Sequence, residues 1–202
     1  MSAGSNQIGP LSANETAFIV TRAVRGAGVP YGLGEDVASG VVWLARQGVP
    51  AAAQTLLQAL ESFAATTSSR DICFNVAGDC AALATNDGIR ASALFAGSAA
   101  ADWLRSNADG QLLDISRVDQ PLLVTGIAAA ILQRAGGLLQ PQDGGCLRYD
   151  PAAQAPESAM DQAIMVDGSA WQGVRDFFQR ALVPATAESR THGAGAGLID
   201  RD

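Results

Sequence analysis

Apolar residues recur at helical spacing through the first sixty positions. Ala17, Val20, Val24 and Ala27 share one helical face, with Ala23 beside them, while Arg22 and Arg25 fall away from it. That period predicts an amphipathic helix. Ser12, with Glu15 three residues on, has the pattern of a capping box and marks its start. Gly26 and Gly28, followed by Pro30, mark its end. A second helix is predicted from Gly32. Glu35 and Asp36 lie in its first turn, where the helix dipole favours negative charge. Leu33, Val37, Val41 and Leu44 form its apolar stripe, and Gly48 stops it. Pro50 suits the first position of a third helix, which carries Ala53, Leu56, Leu57, Leu60 and Phe63. The short connections predict an antiparallel three-helix unit over residues 12–63.

Beyond the Ser/Thr-rich loop 64–70 the pattern changes. Residues 71–84 carry no clear period. Asn86-Asp87-Gly88 reads as a turn, Ile89–Phe95 as a strand, and Ser98–Arg105 as a short helix. A second turn is expected at Ala108-Asp109-Gly110 and a strand over Leu112–Val118. Pro121–Ala135 predicts a helix that ends at Gly136-Gly137. Residues 138–149 read as strand, glycine turn at Asp143–Gly145, strand, which is a β-hairpin signal. A strand over Gln162–Val166 and a last helix capped by Ser169 follow, the helix lined by Ala170, Val174, Phe177, Phe178 and Ala181 and ended by Pro184.

The order of elements predicts an α+β fold: an N-terminal helical unit, then a small, mostly antiparallel sheet backed by helices. Residues 1–11 read as a flexible lead and 12–202 as one domain, with a helical subregion 12–63 and a mixed subregion 71–202. The tail, with Gly193, Gly195 and Gly197 at alternate positions, is expected to be ordered and packed on the body, Leu198 docking in an apolar notch.

Composition removes several chemistries. All 13 positive side chains are Arg. With no Lys there is no Schiff base and no P-loop lysine. His192 is the only histidine, so one chain cannot build a site from several His ligands. The net charge is −7, and the arginines are scattered. Both facts argue against nucleic acid and against an anionic membrane surface. The longest uncharged apolar stretches are too short to span a bilayer. Cys73, Cys80 and Cys146 are odd in number and lack metal-site spacing; they read as reduced thiols in a reducing compartment. No cofactor and no metal are expected. Residues 1–11 do not read as a secretory signal, so a cytoplasmic location is expected.

The candidate ligand-binding residues are Arg25, Glu35, Ser189, Arg190, His192, Gly193 and Gly195. Gly-rich backbone can cradle an anion, but a dinucleotide fingerprint needs a preceding strand and a following helix. The Rossmann reading fails on that context, and a tail lying close against the body is the alternative. His192, with Ser189 nearby and Asp200 to orient it, has the chemistry of a general base. No nucleophile elbow accompanies it, and a structurally bonded His is the plainer reading. Arg22, Arg25 and Arg190 flank glycine turns. Arginine matches a carboxylate bidentately, either on a small anionic ligand or on Glu35 or Asp200 within the chain. Trp43, Trp103 and Trp171 stand at helical positions and read as core or interface.

Two segments resemble a known family. The first is Arg22-Ala23-Val24-Arg25-Gly26-Ala27-Gly28, then Tyr31-Gly32-Leu33-Gly34-Glu35, leading to Trp43-Leu44 and Gly48. The second is Val183-Pro184, then Glu188-Ser189-Arg190, Gly193-Ala194-Gly195-Ala196-Gly197-Leu198 and Asp200-Arg201-Asp202. They resemble an uncharacterised bacterial domain-of-unknown-function family with an Arg-Gly-x-Gly…Trp-Leu helix pair and a glycine-rich tail. The chain departs from that pattern at Leu182 and Arg201. The resemblance implies a bacterial, cytoplasmic, single-domain protein and carries over no catalytic residue. A looser similarity of the first helices to the malate/L-lactate dehydrogenases that lack a Rossmann fold is an analogy of helix pattern. Two functions follow. One is a binding or accessory protein, homo-oligomeric if the tail completes an interface. The other is a metal-independent enzyme or small-anion binder using Arg25, Arg190 and His192.

Overall fold

The structure, a computed structural model, describes residues 10–108, 110–153, 164 and 168–182. Six helices and five strands follow in the order α1 (Ala13–Gly26), α2 (Leu33–Arg46), α3 (Ala52–Ala64), β1 (Ile72–Ala77), β2 (Cys80–Thr85), α4 (Ala93–Ser106), β3 (Leu112–Asp114), α5 (Pro121–Arg134), β4 (Leu138–Gln142), β5 (Cys146–Asp150) and α6 (Gly168–Arg180). The fold is α+β, as the pattern predicts.

The capping box at α1 is complete. The Ser12 hydroxyl accepts the Glu15 N–H at 3.2 Å, and the Glu15 carboxylate accepts the Ser12 N–H at 2.9 Å. Two donors that a helix start leaves orphaned are thereby satisfied. α1 then buries Val20, Ala23 and Val24.

The three-helix unit expected over 12–63 does not close on itself. α1 packs as much on α6 as on α2, α2 packs most closely on α5, and α3 packs chiefly on α6. The physical reason is glycine. A Cβ added at Gly40 of α2 would stand 2.7 Å from the Ile127 backbone nitrogen of α5, and one at Gly126 would stand 2.9 Å from the Gly40 carbonyl oxygen. Backbones this close need residues without side chains at the crossing. Gly97 of α4 faces the Ile127 side chain in the same way, so α2, α4 and α5 meet around one isoleucine. At Gly26 a Cβ would overlap the Phe177 carbonyl, which fixes α1 against α6.

The strands form one sheet in the order β1-β2-β3-β5-β4. Only β2 and β3 run parallel; the other three pairings are antiparallel. The hairpin predicted over 138–149 is present. Its turn carries Gly144 at φ 75° and Gly145 at φ 81°, angles that strain any residue with a Cβ. Residues 72–85, without a clear period in the sequence, are a second hairpin, β1–β2. α4 and α5 back one face of the sheet, where Leu83, Leu113, Leu139 and Leu147 are buried and Phe74 stacks on Trp103 with centroids 5.8 Å apart. By register, Cys73, Cys80 and Cys146 fall on the opposite face. One hydrophobic core joins the α1–α3 region to the sheet.

Two strand assignments are corrected. Ile89–Phe95 is not a strand, because Ala93, Leu94, Ala96, Ala100, Ala101 and Leu104 continue one buried helical face, and α4 begins at Ala93. Before it, Ala91 makes isolated bridges to Ser69 and Val118. The strand expected over Leu112–Val118 stops at Asp114, because the Val118 N–H turns back to the Ile115 carbonyl at 3.3 Å. Ile164 makes an antiparallel bridge with Leu11; the rest of the strand expected at 162–166 lies outside the described residues, as do residue 109 of the second predicted turn, most of the lead 1–11 and the glycine tail. α6 starts at Gly168, so Ser169 lies inside it rather than capping it. No helix among the described residues is long and apolar enough to cross a membrane.

Candidate functional site

Three chain segments converge at the first turn of α4. The Ser69 N–H donates to the Arg90 carbonyl at 2.8 Å, and the Ser92 N–H donates back to the Ser69 carbonyl at 2.7 Å. On the other side the Ala91 N–H donates to the Arg117 carbonyl at 3.0 Å, and the Asp119 N–H to the Ala91 carbonyl at 2.9 Å. Residues 68–69, 90–92 and 117–119 are thus laced by backbone bonds into a small ladder.

That ladder gathers polar side chains in the interior. Ser92 is fully buried, and Ser68 and Ser69 nearly so. Ser92 stands at the N-cap of α4 but its side chain makes no capping bond. The cap comes from Asp119, whose Oδ1 accepts the Ala93 N–H at 2.8 Å. The second oxygen, Oδ2, is buried without a hydrogen-bond partner, as are the hydroxyls of Ser68 and Ser92. Buried polar oxygens in this state are uncommon and costly. Burial raises the Asp119 pKa above its ordinary value; the Ala93 N–H, the nearby Ser68 hydroxyl, the Gln120 backbone and the Arg90 charge only partly offset it. The Ser68 hydroxyl therefore lies close enough to influence the carboxyl, without the geometry of a hydrogen bond.

A groove of about 610 Å³ opens over this knot. Ala27, Phe63 and Ile89 give it an apolar lining, and Ser68, Ser69 and Arg70 a polar one. Two carboxylates, Asp71 and Asp87, line it as well. Asp71 accepts the Asn86 amide at 2.9 Å, and Asp87 accepts the Ile89 N–H at 3.0 Å. The Ser69 hydroxyl and that Ile89 bond hold the Asp87 pKa below its ordinary value, so this carboxylate is charged at neutral pH. Ser68 joins the two layers, lining the groove and lying beside Asp119.

Of the residues singled out in the sequence, Arg25 lies near the end of α1 with its guanidinium 3.9 Å from the centre of the Tyr31 ring, a cation–π contact. Glu35 is exposed in the first turn of α2, and its carbonyl accepts the Ser39 hydroxyl at 2.8 Å. Among the described residues Arg25 and Glu35 form no ion pair with each other. Arg22 sits over Phe18 at 5.1 Å. Ser189, Arg190, His192, Gly193 and Gly195 lie outside the described residues. Asp36, next to Glu35, holds Arg134 at 3.4 Å and the Ser98 hydroxyl at 3.0 Å. Trp171 is fully buried, and the Trp43 indole N–H donates to Gln133 at 2.9 Å, in keeping with a packing role. The three cysteines are free thiols, each half-buried. No group of three metal-ligating side chains occurs among the described residues.

Sequence reading missed Ser68, Ser92 and Asp119. Ser68 lies in a stretch read as a linker and Ser92 in one read as a strand. Asp119 carried a usable cue: an Asp just before a helix that opens with proline reads as a cap. The helix it caps, however, is α4 rather than the adjacent α5.

These features define a class: an α+β protein with an amphiphilic groove over a buried Ser/Asp knot. Residues 11–120, more than half of the chain, match the family model described as "Protein of unknown function (DUF3726)", and the chain belongs to that family. All three segments of the knot lie within the matched span. No curated protein and no solved structure matches the chain. The function of the family, and of this chain, is unknown.

Proposed function

We propose that this is a binding protein, cytoplasmic and without a resident metal, whose ligand is a small amine with an apolar face seated in the groove over Asp119. The observation that carries the proposal is the trio of buried, unpartnered oxygens on Ser68, Ser92 and Asp119 beneath a groove that Ser68 lines. Binding sites combine apolar lining with a few convergent polar groups and a perturbed carboxyl; the first two meet in the groove lining, and the raised carboxyl of Asp119 lies behind Ser68. The charge of the lining selects the ligand. Asp71 and Asp87 face one cation, Arg70, and a further carboxyl lies below. An ammonium that donates to these oxygens is favoured; an anion is repelled. Phe63, Ile89 and Ala27 suit a short hydrocarbon or aromatic portion. The half-buried free thiols are consistent with a reducing compartment.

The test is a titration of isotope-labelled protein with ethanolamine and phenethylamine, set against inorganic phosphate. The expected result is amide shifts confined to Phe63–Asp71 and Asp87–Ser92, larger with phenethylamine and several-fold weaker in Asp87→Asn. Shifts in that region with phosphate but not with the amines would overturn the proposal and favour an anion binder.

A further inference from the structure

α1 and α6 leave an apolar trough of about 480 Å³ between them. Leu11, Phe18, Ile19, Phe178 and Leu182 line it. Phe18 is 54% exposed and Leu182 47% exposed, while Phe18 and Phe178 touch at a centroid distance of 5.8 Å. Two charges of opposite sign, Glu15 and Arg175, also line it. Contiguous exposed apolar surface with a polar rim marks a contact site.

We infer that the trough is the seat of this chain's own residues 197–201, with Leu198 and Ile199 packed against the Phe18 and Phe178 rings. Three observations select this occupant. First, Leu182, where α6 gives way to the following chain, itself lines the trough. Residues 183–197 reach at most about 50 Å when extended, ample to turn back across two helices. Second, Leu198-Ile199 is the only adjacent pair of large aliphatic residues after Leu182. Third, the pair is followed by Asp200 and Arg201, which complement Arg175 and Glu15. The alternative occupant, residues 1–9, offers Ile8 but no charged side chain. Gly193, Gly195 and Gly197 permit the close backbone approach that a shallow trough requires. This inference is independent of the amine groove.

The experiment uses the full chain. In a methyl- and ring-labelled sample, the Leu198 and Ile199 methyls are expected to show nuclear Overhauser contacts with Phe18 and Phe178 within one molecule. Leu198→Ser with Ile199→Ser should abolish them, raise binding of an apolar dye and lower the melting temperature by several degrees. Arg175→Glu should weaken the contacts, and Arg175→Glu combined with Asp200→Arg should restore them. Contacts seen only between differently labelled chains, with a concentration-dependent melting temperature, would make the trough a dimer interface and overturn the inference. Absence of contacts to Leu198 and Ile199 in the unsubstituted chain would overturn it as well.

Discussion

Asp119 caps a helix to which it does not belong: its Oδ1 accepts the Ala93 N–H at 2.8 Å, across 26 positions of sequence. The bond ties the loop before α5 to the first turn of α4, and it explains why Ser92, at the N-cap, has its hydroxyl uncommitted. A cap supplied in this way should contribute as a local one does. Asp119→Ala is expected to lower stability by about 1 kcal/mol from the lost cap, and Asp119→Asn, which keeps an acceptor, by less. Urea denaturation of the two variants checks this; equal losses would mean that Oδ1 does not act as the cap.

The same carboxyl predicts a pH dependence. Its native pKa is raised, chiefly by burial, so the folded chain holds this proton to higher pH than the unfolded chain does. Stability therefore falls as pH rises from the ordinary aspartate value to the raised one. Glu15 works in the opposite sense. Its pKa is lowered by the Ser12 backbone bond and then the Ser12 hydroxyl, so its contribution is present above its ordinary value and lost as pH falls through the lowered one. Comparing the wild type with Asp119→Asn cancels the Glu15 effect. The wild type is expected to lose stability relative to the variant as pH rises through that window, in denaturation series at closely spaced pH. A difference independent of pH would show that the buried carboxyl titrates normally.

Local rules were legible and long-range ones were not. Ser12 with Glu15, the stripe Leu33-Val37-Val41-Leu44 and the Asp143–Gly145 turn each depend on residues within a few positions, and each formed as read. An apolar stripe shows that α2 has a buried face but not which helix covers it, so the partnership with α5 was missed. Ile89–Phe95 misled because a short, largely apolar run fits a strand or a helix equally well. Ser68, Ser92 and Asp119 are brought together only by the ladder of backbone bonds, and no spacing among them announces it.

Gly40 tests the partnership that the pattern did not reveal. Alanine would favour the helix by about 1 kcal/mol, yet its Cβ would stand 2.7 Å from Ile127 backbone atoms, which cannot swing aside as a side-chain tip can. Overpacking of this kind costs about 1–3 kcal/mol. Gly40→Ala is therefore expected to destabilise, whereas Gly48→Ala, with open space but a φ of 69°, should be destabilised by backbone strain alone. Thermal melts separate the two by their response to Ile127→Ala, which removes the Cγ1 that stands 2.6 Å from the same Cβ but keeps the backbone atoms: the Gly40 penalty should shrink only in part, and the Gly48 penalty should add independently.

The cysteine-bearing face of the sheet gives the last prediction. Asp114 pairs with Cys146 across β3 and β5. Burial first, then Cys80 and the Asp114 charge, raise the Cys146 pKa above its ordinary value. Alkylation proceeds through the thiolate, so a raised pKa slows it at any pH below the titration. Cys146 is expected to react with iodoacetamide more slowly near pH 8 than an unperturbed thiol. Removing the neighbouring charge in Asp114→Asn should lower the pKa and speed the reaction at Cys146, while leaving Cys73, on the far edge of the sheet, unchanged. Site-resolved mass spectrometry across a pH series distinguishes this from simple shielding. A shielded thiol would react slowly even above its pKa, whereas the expected profile rises to an ordinary rate once Cys146 is ionised.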